Sequence, residues 1–142
     1  MFGFLKRRKI RRFDLAAIGD NWLVRPLVHD GIAGTLHVRQ LPAGVRRADF
    51  PVVALAWVER AEIAGEPSAL LETVKTALEK DRACLTVLVH ETPDRVLWYA
   101  YAAQSSTLDA TLAALDNKAI RWGVNDDPEW VEYEHAKGLV GA

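Results

Sequence analysis

Four histidines, a single cysteine and a run of acids near the C-terminus are the residues of this 142-residue chain whose types could support proton transfer, metal ligation or nucleophilic attack. His29, His37, His90 and His135 are far apart in sequence, and no two stand at the four-residue spacing of a helical ligand pair. Surface or partner contact is the plain expectation for each, and no metal site is expected. Cys84 begins a β-rich stretch with no nucleophile motif around it, so it reads as a small apolar side chain. Ser105-Ser106 lacks a glycine-flanked nucleophile elbow, and helix capping accounts for the pair. Gly31, Gly34 and Gly44 occur singly, which leaves no phosphate-cradling loop. No catalytic residue and no cofactor is therefore expected. If there is an enzyme or small-ligand site, its place is a pocket between an N-terminal hairpin and the sheet, with Arg25, His37 or His90.

The most distinctive string is Asp126-Asp127-Pro128-Glu129-Trp130, with Tyr133 three residues further on. Asp126 or Asp127 can accept from the free amides of a first helical turn, Pro128 suits the first helical position, and Glu129 complements the positive end of the dipole. A last helix starting here carries Trp130, Tyr133 and Ala136 on one stripe. Asp127, Glu129, Trp130 and Tyr133 are the candidate partner-binding residues. Tyr99 and Tyr101 share one side of a strand, opposite Trp98, and are candidate sheet-face contacts that could stack on bases if that side is open.

The elements that position these residues follow from periodicity. Trp22–His29 and Ile32–Arg39 flank Asp30-Gly31, a two-residue hairpin signal that pairs His29 with Ile32 and Leu23 with Val38. Leu23, Leu27, Ile32, Leu36 and Val38 should face inward. Pro26 predicts an edge strand. Val52 to Val58 is apolar on both alternations, as a strand buried on both faces is. Gly65-Glu66-Pro67-Ser68 starts a helix with the stripe Leu70, Leu71, Val74, Ala77 and Leu78. Ala83–His90 and Val96–Ala102 form a second hairpin. Ser106 and Asp109 have capping-box spacing before Leu108, Leu112 and Leu115. Asp116-Asn117 closes that helix, with Asn117 as the left-handed residue, and Lys118–Val124 is a last strand. The expected fold is α+β: a ferredoxin-like βαββαβ antiparallel sheet with an N-terminal β-hairpin and a short C-terminal helix.

Composition bounds the function. The length suits one domain, expected over residues 21–142 behind a basic flexible leader of residues 1–20. Six of the 18 basic residues precede Asp14, where there is no acid, which leaves 12 against 19 acids and a charge of -7 on the rest. An acidic body argues against nucleic acid as its ligand. The leader could touch RNA or an anionic membrane weakly. One cysteine excludes an intramolecular disulfide, and with no signal or spanning segment in the pattern the expected compartment is the cytoplasm.

The hairpin at Asn21-Trp22 around Asp30-Gly31, the Pro51–Trp57 strand, Leu97-Trp98-Tyr99-Ala100-Tyr101 and the Asp126–Trp130 string together resemble the bacterial domain-of-unknown-function family 695, from about Asn21 to Tyr133. The closing Asp127, Pro128, Trp130 and Tyr133 are also similar to a pattern in the B-type protein regulators of ribonuclease E. That resemblance implies a small protein that binds an enzyme rather than performing catalysis. The expected function is thus a non-enzymatic cytoplasmic regulatory or adaptor domain with a protein partner. A small-ligand or enzymatic role and an RNA-associated role are the alternatives, and a homodimer is left open.

Overall fold

Asp30 and Gly31 take φ of 50° and 77°, the two left-handed conformations that a tight hairpin turn demands. They join β1 (Trp22–His29) to β2 (Ile32–Arg39) in the expected register, with His29 opposite Ile32 and Leu23 opposite Val38. Because His29 and Ile32 close the turn as a hydrogen-bonded pair, ladder alternation turns the nitrogen of Pro26 away from β2. β1 is the outermost strand. Pro26 therefore sacrifices no ladder bond, and it removes a donor from an edge where a foreign strand could pair.

The structure, a computed structural model, describes residues 10–141. After the hairpin come β3 (Val52–Glu59), α2 (Pro67–Glu79), β4 (Cys84–Glu91), β5 (Arg95–Ala102), α3 (Ser105–Ala113), β6 (Arg121–Asp126) and α4 (Val131–Val140), with a one-turn α1 (Leu15–Ile18) before β1. All six strands form one antiparallel sheet in the order β1-β2-β4-β5-β3-β6. β3 is paired on both sides, as expected of a central strand, but it is not fully buried on both faces, since Leu55 and Trp57 are half-buried.

The sheet has a core on each face. On one side Val52, Ala54, Ala56, Val58, Trp98 and Ala100 pack with Val74 and Leu78 of α2 and Leu108 and Leu112 of α3. Each fully buried Val or Leu side chain among these is worth about 1.5–3 kcal/mol. On the other side Leu36, Val38, Val53, Leu85, Leu88 and Tyr101 pack with Trp130, Tyr133 and Val140. An irregularity in the β4–β5 register between Thr86 and Leu88 inserts Val87. This bulge lets Cys84 and Val89 reach the first core, and Leu85, Val87 and Leu88 the second, despite their mixed parity.

Gly34 is dictated by a close approach. A Cβ there would lie 2.4 Å from the backbone oxygen of Glu91.

Several expectations are corrected. The packed unit begins before residue 21: Phe13 and Ile18 are buried, Phe13 stacks on Phe50 with ring centroids 3.6 Å apart, and its amide donates to the Arg82 carbonyl at 2.7 Å. The leader's first nine residues lie outside the described residues. Ile32 is 46% exposed rather than inward, because it sits at the hairpin tip, before the pairing with β4 begins at Thr35. Asp109 does not close a capping box; it accepts from the Trp122 indole at 3.0 Å, and α3 begins after Gln104 with no side-chain cap. Asp116, with φ 48°, takes the left-handed conformation expected of Asn117. The last strand runs Arg121–Asp126, two residues beyond Val124.

Candidate functional site

The closing string is built into the core. Asp127 is 7% exposed and Trp130 and Tyr133 are at most 1% exposed. The Asp127 carboxylate accepts from the Val131 amide at 2.8 Å, the Glu132 amide at 3.2 Å and the Tyr101 hydroxyl at 2.6 Å. It is thus the cap of α4, as expected, but the helix starts four residues later, at Val131. Pro128 and Glu129 form the turn between, and Pro128 is not the first helical residue. That turn leaves Trp130 in a left-handed conformation, φ 57° and ψ 44°, which a bulky residue adopts only where its surroundings over-determine it. The Trp130 indole stacks on Tyr101 at 4.0 Å, meets Tyr133 edge-on at 5.8 Å and donates to the Phe50 carbonyl at 2.9 Å. The Tyr133 hydroxyl donates to the Arg39 carbonyl at 2.6 Å.

Asp127, Trp130 and Tyr133 therefore fasten α4 to the sheet, and the two rings offer no surface to a partner. Tyr101 is fully buried under Trp130 and is likewise withdrawn as a sheet-face contact, which also breaks the Tyr99–Tyr101 base-stacking pair. Burial, together with the bond to Asp127, pushes the Tyr101 phenol well above its usual range. Arg47 lies over both rings, 5.6 Å from Trp130 and 5.3 Å from Tyr133, and forms an ion pair with Glu134 that holds that carboxyl below its usual range.

Two expected residues remain accessible. Glu129 is exposed, and Tyr99 is half-buried at the margin of the second core, beside α4. α4 packs over β1, β2 and β4. Beyond it, cross-strand pairing sets Tyr99 beside Leu55 and Leu97 beside Trp57, with Gly123 and Arg121 next in each row. Leu55, Trp57 and Leu97 are half-buried and belong to neither core. Sequence reasoning passed over Leu55 and Trp57 because a two-faced apolar run reads as core on both sides. The signal that exposes the face is Gly123, which leaves open space where β6 crosses the row.

A trough runs along the α4 seam. One part, about 140 Å³, is lined by His29, His90 and His135 with Tyr99 and Glu132. The other, about 220 Å³, continues past Tyr99 and Glu132 to Asn125, Asp126 and Asp127. Three histidines widely separated in sequence thus line one cavity. Burial lowers the His90 pKa, and the neighbouring His29 adds to this; burial raises the Tyr99 pKa, with Glu132 contributing. Of Arg25, His37 and His90, only His90 lines this trough. His37 pairs with Glu91 at 2.7 Å, and the Arg25 guanidinium donates to the Val24 carbonyl. Among the described residues no group of His, Cys, Asp or Glu is arranged to hold a metal ion.

Arg39 was not singled out by its type or position. It is 2% exposed and pairs with Glu79 at 3.0 Å, while donating to the Thr86 carbonyl at 3.1 Å and the Gly19 carbonyl at 2.8 Å. It locks α2, β4 and the α1 turn onto β2. Cys84 is fully buried, and burial raises its thiol to about 11.

Among the described residues no helix is long and apolar enough to cross a membrane. Comparison with protein-family models, curated proteins and solved structures finds no match to this chain.

Proposed function

We propose that this chain is a non-enzymatic, cytoplasmic regulatory or adaptor domain that recognises a cationic segment of a partner protein on the uncovered half of its sheet. The observation that carries this reading is the pair of adjoining rows Trp57–Leu97 and Leu55–Tyr99, half-buried where α4 leaves the sheet bare. Aromatic side chains on a rigid sheet are the kind of anchor that supplies most of the energy of a protein interface. The rim sets the charge of the partner. Asp126 and Glu132 line the trough, Glu129 is exposed in the turn before α4, and the chain from Asp14 onward carries -7. Complementary charge there speeds encounter and rejects acidic competitors.

The run β3-α2-β4-β5-α3-β6 with strand order β4-β5-β3-β6 supports a ferredoxin-like core, extended at its β4 edge by the hairpin. The similarity of Asp127, Pro128, Trp130 and Tyr133 to the pattern of the ribonuclease E regulators supports binding over catalysis. In this reading the shared Asp-Pro-x-Trp-x-x-Tyr pattern is the device that docks α4 and leaves the neighbouring face free.

A photo-crosslinking residue placed at Leu55 or Tyr99 tests it. Capture of a distinct protein from these positions, none from the exposed Glu72 of α2, and weakened capture in Glu129→Lys/Glu132→Lys support the reading. Equal capture from Glu72, or capture only of a second copy of the chain, sinks it. A second reading, a small-ligand site, is favoured by the three histidines. Their cavity is smaller than the roughly 300–1,000 Å³ of ordinary ligand pockets, which puts this reading second.

A further inference from the structure

A second cavity lies away from the α4 trough, between the segment entering α1 and the connection before β3. It measures about 560 Å³, well within the range of sites that enclose a small organic ligand. Its walls are apolar: Phe13, Ile18, Val45 and Phe50 line it, with the stacked Phe13–Phe50 pair on one side. Its mouth is cationic. Arg11, Arg12 and Arg46 line it against only two carboxylates, Asp14 and Asp49. Asp14 accepts from the Ala17 amide at 3.3 Å, Asp49 pairs with Arg46 at 3.5 Å, and the Arg12 Nε donates to the Asp81 carbonyl at 3.1 Å, which leaves the rim one cation in excess. On a chain that is acidic from Asp14 onward, an apolar cavity with a guanidinium rim is a local inversion of charge.

We propose that this cavity binds an anionic amphiphile, a carboxylate with an unbranched alkyl chain of medium length, with the chain against Phe13, Ile18, Val45 and Phe50 and the carboxylate at the arginines. The arginine fork suits a planar carboxylate, forming two parallel hydrogen bonds where an ammonium offers a point charge. The site is independent of the sheet-face surface and shares no residue with it.

The test is calorimetric titration of the full chain with octanoate, decanoate and decanol below their aggregation concentrations. Saturable one-to-one binding is expected, tightening about fourfold per added methylene, with decanoate at least tenfold tighter than decanol. Arg11→Glu/Arg46→Glu, at exposed positions, should erase the preference for decanoate. Ala17→Phe, also exposed, narrows the cavity and should weaken both ligands about tenfold. Three results would each overturn the proposal: no saturable binding, affinity indifferent to both variants, or decanol binding as tightly as decanoate. Binding that appears only in a chain begun at Ile10 would also overturn it, and would assign the cavity to the chain's own first nine residues.

Discussion

Replacing Asp127 by alanine removes one carboxylate that serves three donors: the Val131 and Glu132 amides and the Tyr101 hydroxyl. Loss of a helix cap costs about 0.5–2 kcal/mol. Stranding the O–H of Tyr101, which is fully buried, adds about 1–3 kcal/mol because the group was desolvated on folding and has lost its acceptor. The sum, about 1.5–5 kcal/mol, is a large share of the roughly 5–15 kcal/mol that holds an ordinary domain folded. Tyr101→Phe should cost only about 1 kcal/mol, since Asp127 keeps both amides. The two must not add. In the double variant no hydroxyl is stranded, so the coupling should be at least about 1 kcal/mol. Urea melts followed by far-ultraviolet circular dichroism measure this without interference from tryptophans near the site, provided the slope with denaturant is unchanged. An Asp127→Ala loss below about 0.5 kcal/mol, or strict additivity, would refute the assignment of the closing string to the fold.

Arg39→Ala leaves Glu79, a nearly buried carboxylate, without its cation, and a loss of about 3–5 kcal/mol in denaturant melts is expected. Gly34→Ala drives a methyl into the Glu91 carbonyl and should cost about 1–3 kcal/mol, whereas Gly123→Ala, in open space, should not. Cys84, fully buried with its thiol raised to about 11, should react with a thiol reagent at pH 8 only at the rate of opening and promptly in urea; prompt reaction in buffer would contradict its burial. Because the folded His90 pKa lies below its unfolded value near 6.5, the unfolded chain takes the proton first as pH falls. Its stabilising share is complete above that value and is lost as pH drops through it toward the folded pKa. Wild type should therefore lose more stability than His90→Gln between pH 7.5 and 5.5, and equal losses would show that His90 titrates as an exposed histidine.

Much of the architecture is legible in the chain because it rests on local physics. Asp30-Gly31 admits one turn and hence one register, the apolar run of β3 admits only a strand paired on both sides, and the Val74–Leu78 stripe admits only a helix lying on the sheet. Pro26 marks an edge because its missing donor would break the ladder of a strand paired on both sides. What tertiary structure alone decided is direction. An Asp-Pro-x-Trp-x-x-Tyr string has the same local chemistry whether its rings face a partner or a sheet, and the choice was made by Tyr101 and the Phe50 carbonyl, 29 and 80 residues away. The sharing of one cavity by His29, His90 and His135, the burial of Arg39 and the bare face beside Tyr99 belong to the same class. Each depends on which strands become neighbours and how far one helix reaches across them, and no periodicity within a single element carries that information.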